Sequence, residues 1–587
     1  MGPGERRRRL GGEAEGPAPS VVPRPRVWRL GLGMRDQGAT DRPARRRLRL
    51  PTRPQFAGAT AAIVLAALAL RLWGLSHGLP YVFSADENAH FVPRAIGMFG
   101  HSLNPQYFVN PPAFTYLLHL AFWARWGTRE AVGAAFAADP GTAFALARAL
   151  VAVLGAVAAG LTLWAGARLF DRRVGLVAGA LFAVAFLPVH YAHFAVNDVP
   201  ALAPLCLSLA GAAGVYRHGR LRDYALAGAA LGVACATKYT AGIVLLCLLG
   251  AAVTAPNRGR GLALAGGLAV AGFAVANPYA LFDLDAFRDG LRLQSQASGD
   301  GGGKLGLVGD SGILYYLGTA TWGLGWLPAL AALGGAVWLS VRRSPAALVL
   351  VPAPVLFLLF MGLQDRFFAR WLLPVYPMLC LLAAWAAVEL AGRRRWRVAV
   401  AGALLCAQGL LFSVHNDRLL ARSDTWTLAR AWMVRNIPEG TRVVIEPIAP
   451  DQWATDVGRP SRLTDNGRRW DKWRTSNFRG ERIKLEDYER TLSPPMLRRY
   501  ERGGYCYVVV GSTQKGRTLR EPEEVPAAIA YYRELDRRSD PLHRVSPRGD
   551  GGPIGQFSFD FSFNGYPLTY DRLGPEIVIR KLRDGKC

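Results

Sequence analysis

Carboxylates side by side at the edge of a long apolar run are the first groups in this chain that could do chemistry. The segment FSADENAHF places Asp86 next to Glu87, with His90 three residues after Glu87. Adjacent carboxylates can serve as general base, metal ligand or helix cap. Ser84 and Glu87 also have the spacing of a capping box, so helix initiation and catalysis are both open readings here. Other ionisable residues border apolar runs in the same way: Asp198 in HYAHFAVNDVP, Lys238 in GVACATKYTAG, Asp283 in ANPYALFDLDAF, and Asp365 and Arg370 around DRFFARWLLPVYP. A charge in or near hydrocarbon costs about 2.5–3.5 kcal/mol even on lenient scales, so several at one depth point to a site.

The elements that would bring these residues to one depth are membrane spans. Of the 587 residues, 51% are hydrophobic, and runs long enough to cross about 30 Å of hydrocarbon recur from Gln55 to about Phe412. The chain carries 70 Lys+Arg against 43 Asp+Glu, a formal +27. No continuous basic stripe accompanies that excess. The arginines fall in short clusters between apolar runs, which is the positive-inside pattern and argues against a nucleic-acid partner.

Six clusters are placed in the cytoplasm: Arg42 to Arg49, Arg168 to Arg173, Arg217 to Arg222, Arg258 with Arg260, Arg342 with Arg343, and Arg393 to Arg397. Room for two spans between consecutive clusters, plus one last span, predicts about eleven transmembrane helices. They are expected near 55–76, 142–167, 173–192, 198–216, 223–237, 239–256, 261–278, 314–340, 345–363, 371–391 and 397–414. The segment Pro111 to Trp126 is short and begins with paired prolines, so it reads as a helix in the outer interface within a long outer loop, 80–141. This topology puts Asp86, Glu87, His90, Asn110, Asp198, Lys238, Asn277, Asp283, Asp365 and Arg370 at the outer ends of spans. Arg71 and Arg148 fall near the same boundary. Two readings are open for these arginines: each snorkels alone, or they help to bind a lipid phosphate.

The flanks are different in kind. Residues 1–54 are rich in Arg, Pro and Gly and read as a disordered basic cytoplasmic tail rather than a signal peptide, with Met34 as an alternative start. From residue 415 to 587, β-branched strands at 442–445, 505–510 and 576–579 alternate with helical stretches near 424–436 and 525–537, which predicts an extracytoplasmic α/β domain. Its Trp426, Trp432, Trp453, Trp470 and Trp473 could stack on sugars, although core packing is the commoner fate. Cys206, Cys235, Cys247, Cys380 and Cys406 lie in apolar runs as packing residues, while Cys506 and Cys587 could pair outside the cell.

The motifs together resemble a known family. DENAHF followed by NPPAFTYLL is similar to the first outer loop of the GT-C-type transferases of the protein O-mannosyltransferase and lipid A aminoarabinose transferase superfamily, glycosyltransferase family 39-like. HYAHFAVNDVP resembles that family's second acidic motif, GVACATKYTAG its TK motif, ANPYALFDLDAF a loop of bacterial members, and RFFARWLLPVYP their R-W/Y-hhP segment. SDTWTLARAWMVRNIPEGTRVV resembles the start of their outer C-terminal domain. The likeness covers about residues 55–450. One departure is Asn110, which stands where the aminoarabinose transferases carry a lysine before the paired prolines.

The resemblance implies a polytopic GT-C-like catalytic domain over 55–414 in the plasma (inner) membrane. It further implies transfer of a sugar from a polyprenyl-phosphate donor to a lipid, glycan or protein acceptor at the outer face. The chemistry then assigns roles. A leaving phosphate needs positive charge, for which Arg71, Arg148, Lys238 and Arg370 are candidates. The attacking hydroxyl must lose a proton, for which Asp86 is the candidate general base, with Glu87 holding base or acceptor in place. Asp198, His90 and His193 are candidates for acceptor or cation binding; a divalent cation is compatible with the sequence but no ligand spacing demands one. Displacement in one step inverts the anomeric centre. The rival reading is a polytopic transporter or lipid flippase, whose marks are ionisable groups at mid-membrane and internal repeats.

Overall fold

A computed structural model describes residues 53–299, 311–364, 367–392, 394–457, 468–473, 488–552, 554, 566 and 568–585. The expected tail 1–54 lies almost wholly outside the described residues. The protein is a polytopic helical membrane protein with a C-terminal α/β domain. Every one of the eleven expected spans falls on a helical segment. Seven of these are long and apolar enough to cross a membrane by length and composition: Arg53–Leu72, Pro140–Leu169, Arg258–Ala276, Gly312–Val341, Pro345–Gly362, Ala369–Ala391 and the helix starting at Arg395. An eighth is the pair Arg172–Val184 and Phe186–His193, bent by 56°. Leu202–His218 and Leu221–Thr237 are only 17 residues long, and the apolar helix Tyr239–Thr254 is also short.

Small residues let these helices approach closely, as they must where lipid offers no hydrophobic drive. A Cβ at Gly228 or Gly232 would lie 2.1 Å from the carbonyl oxygen of Ala265 or Ala269, so Leu221–Thr237 and Arg258–Ala276 meet backbone to backbone. The bend at Ala185 (ψ 130°) has a sequence cause in Pro188, which cannot donate to the carbonyl four residues before it. That carbonyl, Val184 C=O, accepts instead from Ser413 Oγ at 3.0 Å.

The segment 113–126 forms a 14-residue helix with Leu120 and Trp123 exposed, in keeping with its short length. At the other end, the last apolar helix does not stop at 414; it continues unbroken to Leu420 and carries the domain that follows. Among the described residues that domain is built on a five-stranded sheet. Its strands are β1 (Arg442–Ile445), β2 (Asp471–Lys472), β3 (Tyr507–Gly511), β4 (Ser539–Val545) and β5 (Ile577–Leu582), in the order β2-β1-β3-β5-β4. The first three are parallel and β5 runs antiparallel to both β3 and β4. Helices Thr425–Asn436 and Pro526–Arg538 match the expected stretches.

The tryptophans take the packing role. Trp426, Trp453 and Trp470 are fully buried, and Trp432 stacks on His543 with ring centroids 4.9 Å apart. The five cysteines in apolar runs are free thiols, Cys506 is disulfide-bonded, and Cys587 lies outside the described residues.

Candidate active site

The chain leaves the first apolar helix, turns back, and starts a short helix after Ser84 that opens into a π-turn over Glu87–Phe91. Ser84 begins it: its carbonyl accepts Asn88 N–H at 3.0 Å and its Oγ lies 3.5 Å from Glu87 N. Only this half of a capping box forms, because Glu87 turns its carboxylate elsewhere. Successive helical residues point about 100° apart, so neighbouring carboxylates must serve different surroundings. The Asp86 side chain stays 31% exposed while that of Glu87 is fully buried.

Glu87 is bound on all sides by donors. Arg148 reaches it with Nε at 2.6 Å and Nη2 at 2.9 Å, and Ala195 N–H donates at 3.0 Å. Arg148 spends Nη1 on the carbonyls of Leu75 (2.9 Å) and His77 (2.8 Å). Glu87 and Arg148 form a buried ion pair that ties the outer loop to the helix Pro140–Leu169 and to the segment leading into Asp198.

Arg71 is likewise held within the fold. It is fully buried and donates to the carbonyls of Ala67 (2.9 Å), Ala183 (2.9 Å) and Phe182 (3.4 Å). The last two are carbonyls that the break at Ala185 strips of helical partners, so Arg71 caps a broken helix. His193 is also fully buried, between the carbonyls of Val189 (2.9 Å) and Trp73 (3.0 Å) and with Asp417 at 3.7 Å.

The remaining candidates fall into two ion-paired groups. Arg370 Nη2 bonds Asp86 Oδ2 at 2.7 Å, and His90 Nε2 lies 3.8 Å from Asp86 Oδ1. Burial lowers the pKa of His90 from its ordinary value, with Asp86 opposing, so Arg370 rather than His90 is the cation that faces Asp86 at neutral pH. Lys238 Nζ meets Asp198 Oδ1 at 2.5 Å, Asp198 being almost fully buried. Arg370 sits in the 3₁₀ turn Ala369–Val375, which packs against the 3₁₀ turn Tyr239–Val244 that follows Lys238. Asp365 lies outside the described residues.

Of the residues that link these two ion pairs, sequence reasoning singled out only Asn110 and Asp283. Tyr107 stacks on His90 with centroids 5.2 Å apart, Arg94 lies 3.9 Å from its ring centre, and Asn110 donates to its hydroxyl at 3.1 Å. Tyr239 Oη donates to Phe108 C=O at 2.9 Å, so the loop that carries Tyr107 is pinned beside Lys238. Asn104 fixes the start of the same loop by donating to Asp283 at 2.6 Å. The only hint in the sequence was the aromatic content of that loop.

No curated protein matches the chain. Among solved structures it is similar to ArnT from Cupriavidus metallidurans bound to undecaprenyl phosphate, with 19% identity over 65% of this chain and 73% of that one, at a TM-score of 0.46. It is similar to the oligosaccharyltransferase of Archaeoglobus fulgidus in the apo form, with 15% identity, coverage of 81% and 72%, and a TM-score of 0.48. It is also similar to the arabinofuranosyltransferase AftD from Mycobacteria, with 15% identity, coverage of 91% and 40%, and a TM-score of 0.41. Residues 132–279, the part that holds Arg148, Asp198 and Lys238, match the family model of the dolichyl-phosphate-mannose-protein mannosyltransferases.

Proposed function

We propose that this protein is a membrane glycosyltransferase that takes a sugar from a polyprenyl-phosphate donor and passes it, with inversion, to an acceptor hydroxyl at the outer face of the membrane. The observation that carries the reading is the contrast between two adjacent carboxylates: Glu87 is sealed in a buried ion pair, while Asp86 remains accessible beside Arg370. The family-model match over 132–279 and the undecaprenyl phosphate named for ArnT support the donor class.

In the reaction the bond from the anomeric carbon to the phosphate oxygen breaks, and its electron pair leaves with the phosphate. The acceptor oxygen bonds the same carbon from the opposite face, and its proton passes to Asp86. Arg370, hydrogen-bonded to Asp86, holds that carboxylate in place and, at the same boundary, offers charge to the departing phosphate. Lys238 adds a second positive charge, oriented by Asp198. Asp86 then returns its proton to solvent. A comparison of lipid extracts from cells with and without the gene tests the donor class. Accumulation of a polyprenyl-phosphate sugar on deletion is expected, and an unchanged lipid profile overturns it.

A further inference from the structure

The stretch between the first apolar helix and Asp86 is held by the C-terminal domain. Tyr81 Oη donates to Thr455 C=O at 3.0 Å, and the Arg430 guanidinium lies 4.5 Å from the centre of the Tyr81 ring. Arg430 is itself fixed, by Trp453 C=O at 2.9 Å and Asp456 Oδ1 at 2.7 Å. Two residues on, Phe83 stacks on Trp426 with centroids 4.4 Å apart and planes 13° from parallel. Trp426 is fully buried in the core of the domain and donates Nε1 to Ile448 C=O at 2.5 Å. From the other side Phe83 presses on Gly78 (φ +67°), where a Cβ would come within 2.8 Å of its ring.

Both aromatic anchors therefore belong to the loop, and both of their partners belong to the α/β domain. Asp86 follows Phe83 by three residues, with Ser84 starting the helix between them. We propose that the C-terminal domain is the positioning element of the active site, and that Tyr81 and Phe83 are the positioning residues through which it sets the place of Asp86. The consequence for function rests on Asp86 being the base. A displacement of about 1 Å in a reacting group can cost on the order of 100-fold in rate, so a ring stack this close to the base is enough to govern turnover.

Two measurements on the full-length protein in nanodiscs test the proposal separately from the identity of the base. The first is turnover per folded molecule with a polyprenyl-phosphate sugar. Phe83→Ala is expected to lower kcat about 10- to 100-fold while the donor KM changes by less than about 2-fold, and Phe83→Tyr, which can still stack on Trp426, restores most of it. The second is the rate at which a thiol reagent labels Asp86→Cys, a reporter of loop position that needs no catalysis. Adding Phe83→Ala is expected to raise that rate severalfold. An unchanged labelling rate overturns the coupling whatever the base is. A raised rate with unchanged kcat leaves the coupling standing and removes Asp86 from the chemistry.

Discussion

Glu87→Gln separates the two adjacent carboxylates by what they do to folding. Glutamine keeps the size of the side chain and an acceptor for Ala195 N–H but removes the charge that faces Arg148. That guanidinium is 1% exposed, so water cannot replace the lost partner. Breaking a buried ion pair from one side costs about 3–5 kcal/mol, and the amide oxygen that remains places this variant toward the low end. Arg148→Gln strands Glu87 by the same logic. The double variant Glu87→Gln with Arg148→Gln removes both charges and leaves amides able to bond each other, so it should recover much of the loss. Asp86→Asn, at a side chain 31% exposed, should cost on the order of 1 kcal/mol or less. Thermal unfolding of the four variants in nanodiscs reads these values, with turnover per folded molecule measured alongside. A Glu87→Gln protein of wild-type stability that fails in turnover would refute the assignment of Glu87 to the framework, as would a double variant no better than the worse single.

Three further predictions rest on named contacts or on the arginine clusters. Arg370→Ala should raise the apparent donor KM by about 10- to 100-fold, the worth of a charged hydrogen bond, and an unchanged KM and turnover would leave Arg370 as no more than an interfacial anchor. A reporter fused after Asn416 should be extracytoplasmic and one after Arg343 cytoplasmic; finding both on one side would undo the placement of the site. In the C-terminal domain, burial raises the pKa of Glu446 to about 8, against an accepted N–H from Gly511 and the hydroxyl of Tyr532. The folded state thus binds the extra proton, and stability should fall as pH rises from the ordinary carboxylate range, near 4.5, to about 8. Glu446→Gln should flatten that slope in pH-dependent unfolding, and an equal slope in both proteins would refute the cause.

The helices were legible because span length and arginine clustering are local signals. All eleven expected segments are helical, but the bend at Ala185 inside the span expected at 173–192 was not anticipated, although Pro188 is its sequence cause. That Asp86, Asp198, Lys238 and Arg370 each border an apolar run was legible as well, and the structure pairs Asp86 with Arg370 and Asp198 with Lys238. What the sequence could not tell was which charge meets which. Arg71, Arg148, Glu87 and His193 carry the same polar marks as the site residues, yet Arg71 and His193 meet backbone carbonyls and Glu87 and Arg148 meet each other, all but a few of them distant in sequence, and no periodicity encodes those distances. Tyr81, Phe83 and Tyr107 escaped notice because aromatic residues in an outer loop look alike until the surface they stack on is known.

The central claim is that Asp86 takes the proton of the acceptor, and the turnover of Asp86→Asn tests it most directly. Asparagine keeps the size of the side chain and is as good a helix cap as aspartate, so a capping role would survive the change. Loss of a general base should lower turnover about 10²- to 10⁴-fold with the protein still folded in the membrane. An Asp86→Asn protein that transfers sugar at the wild-type rate would contradict the account.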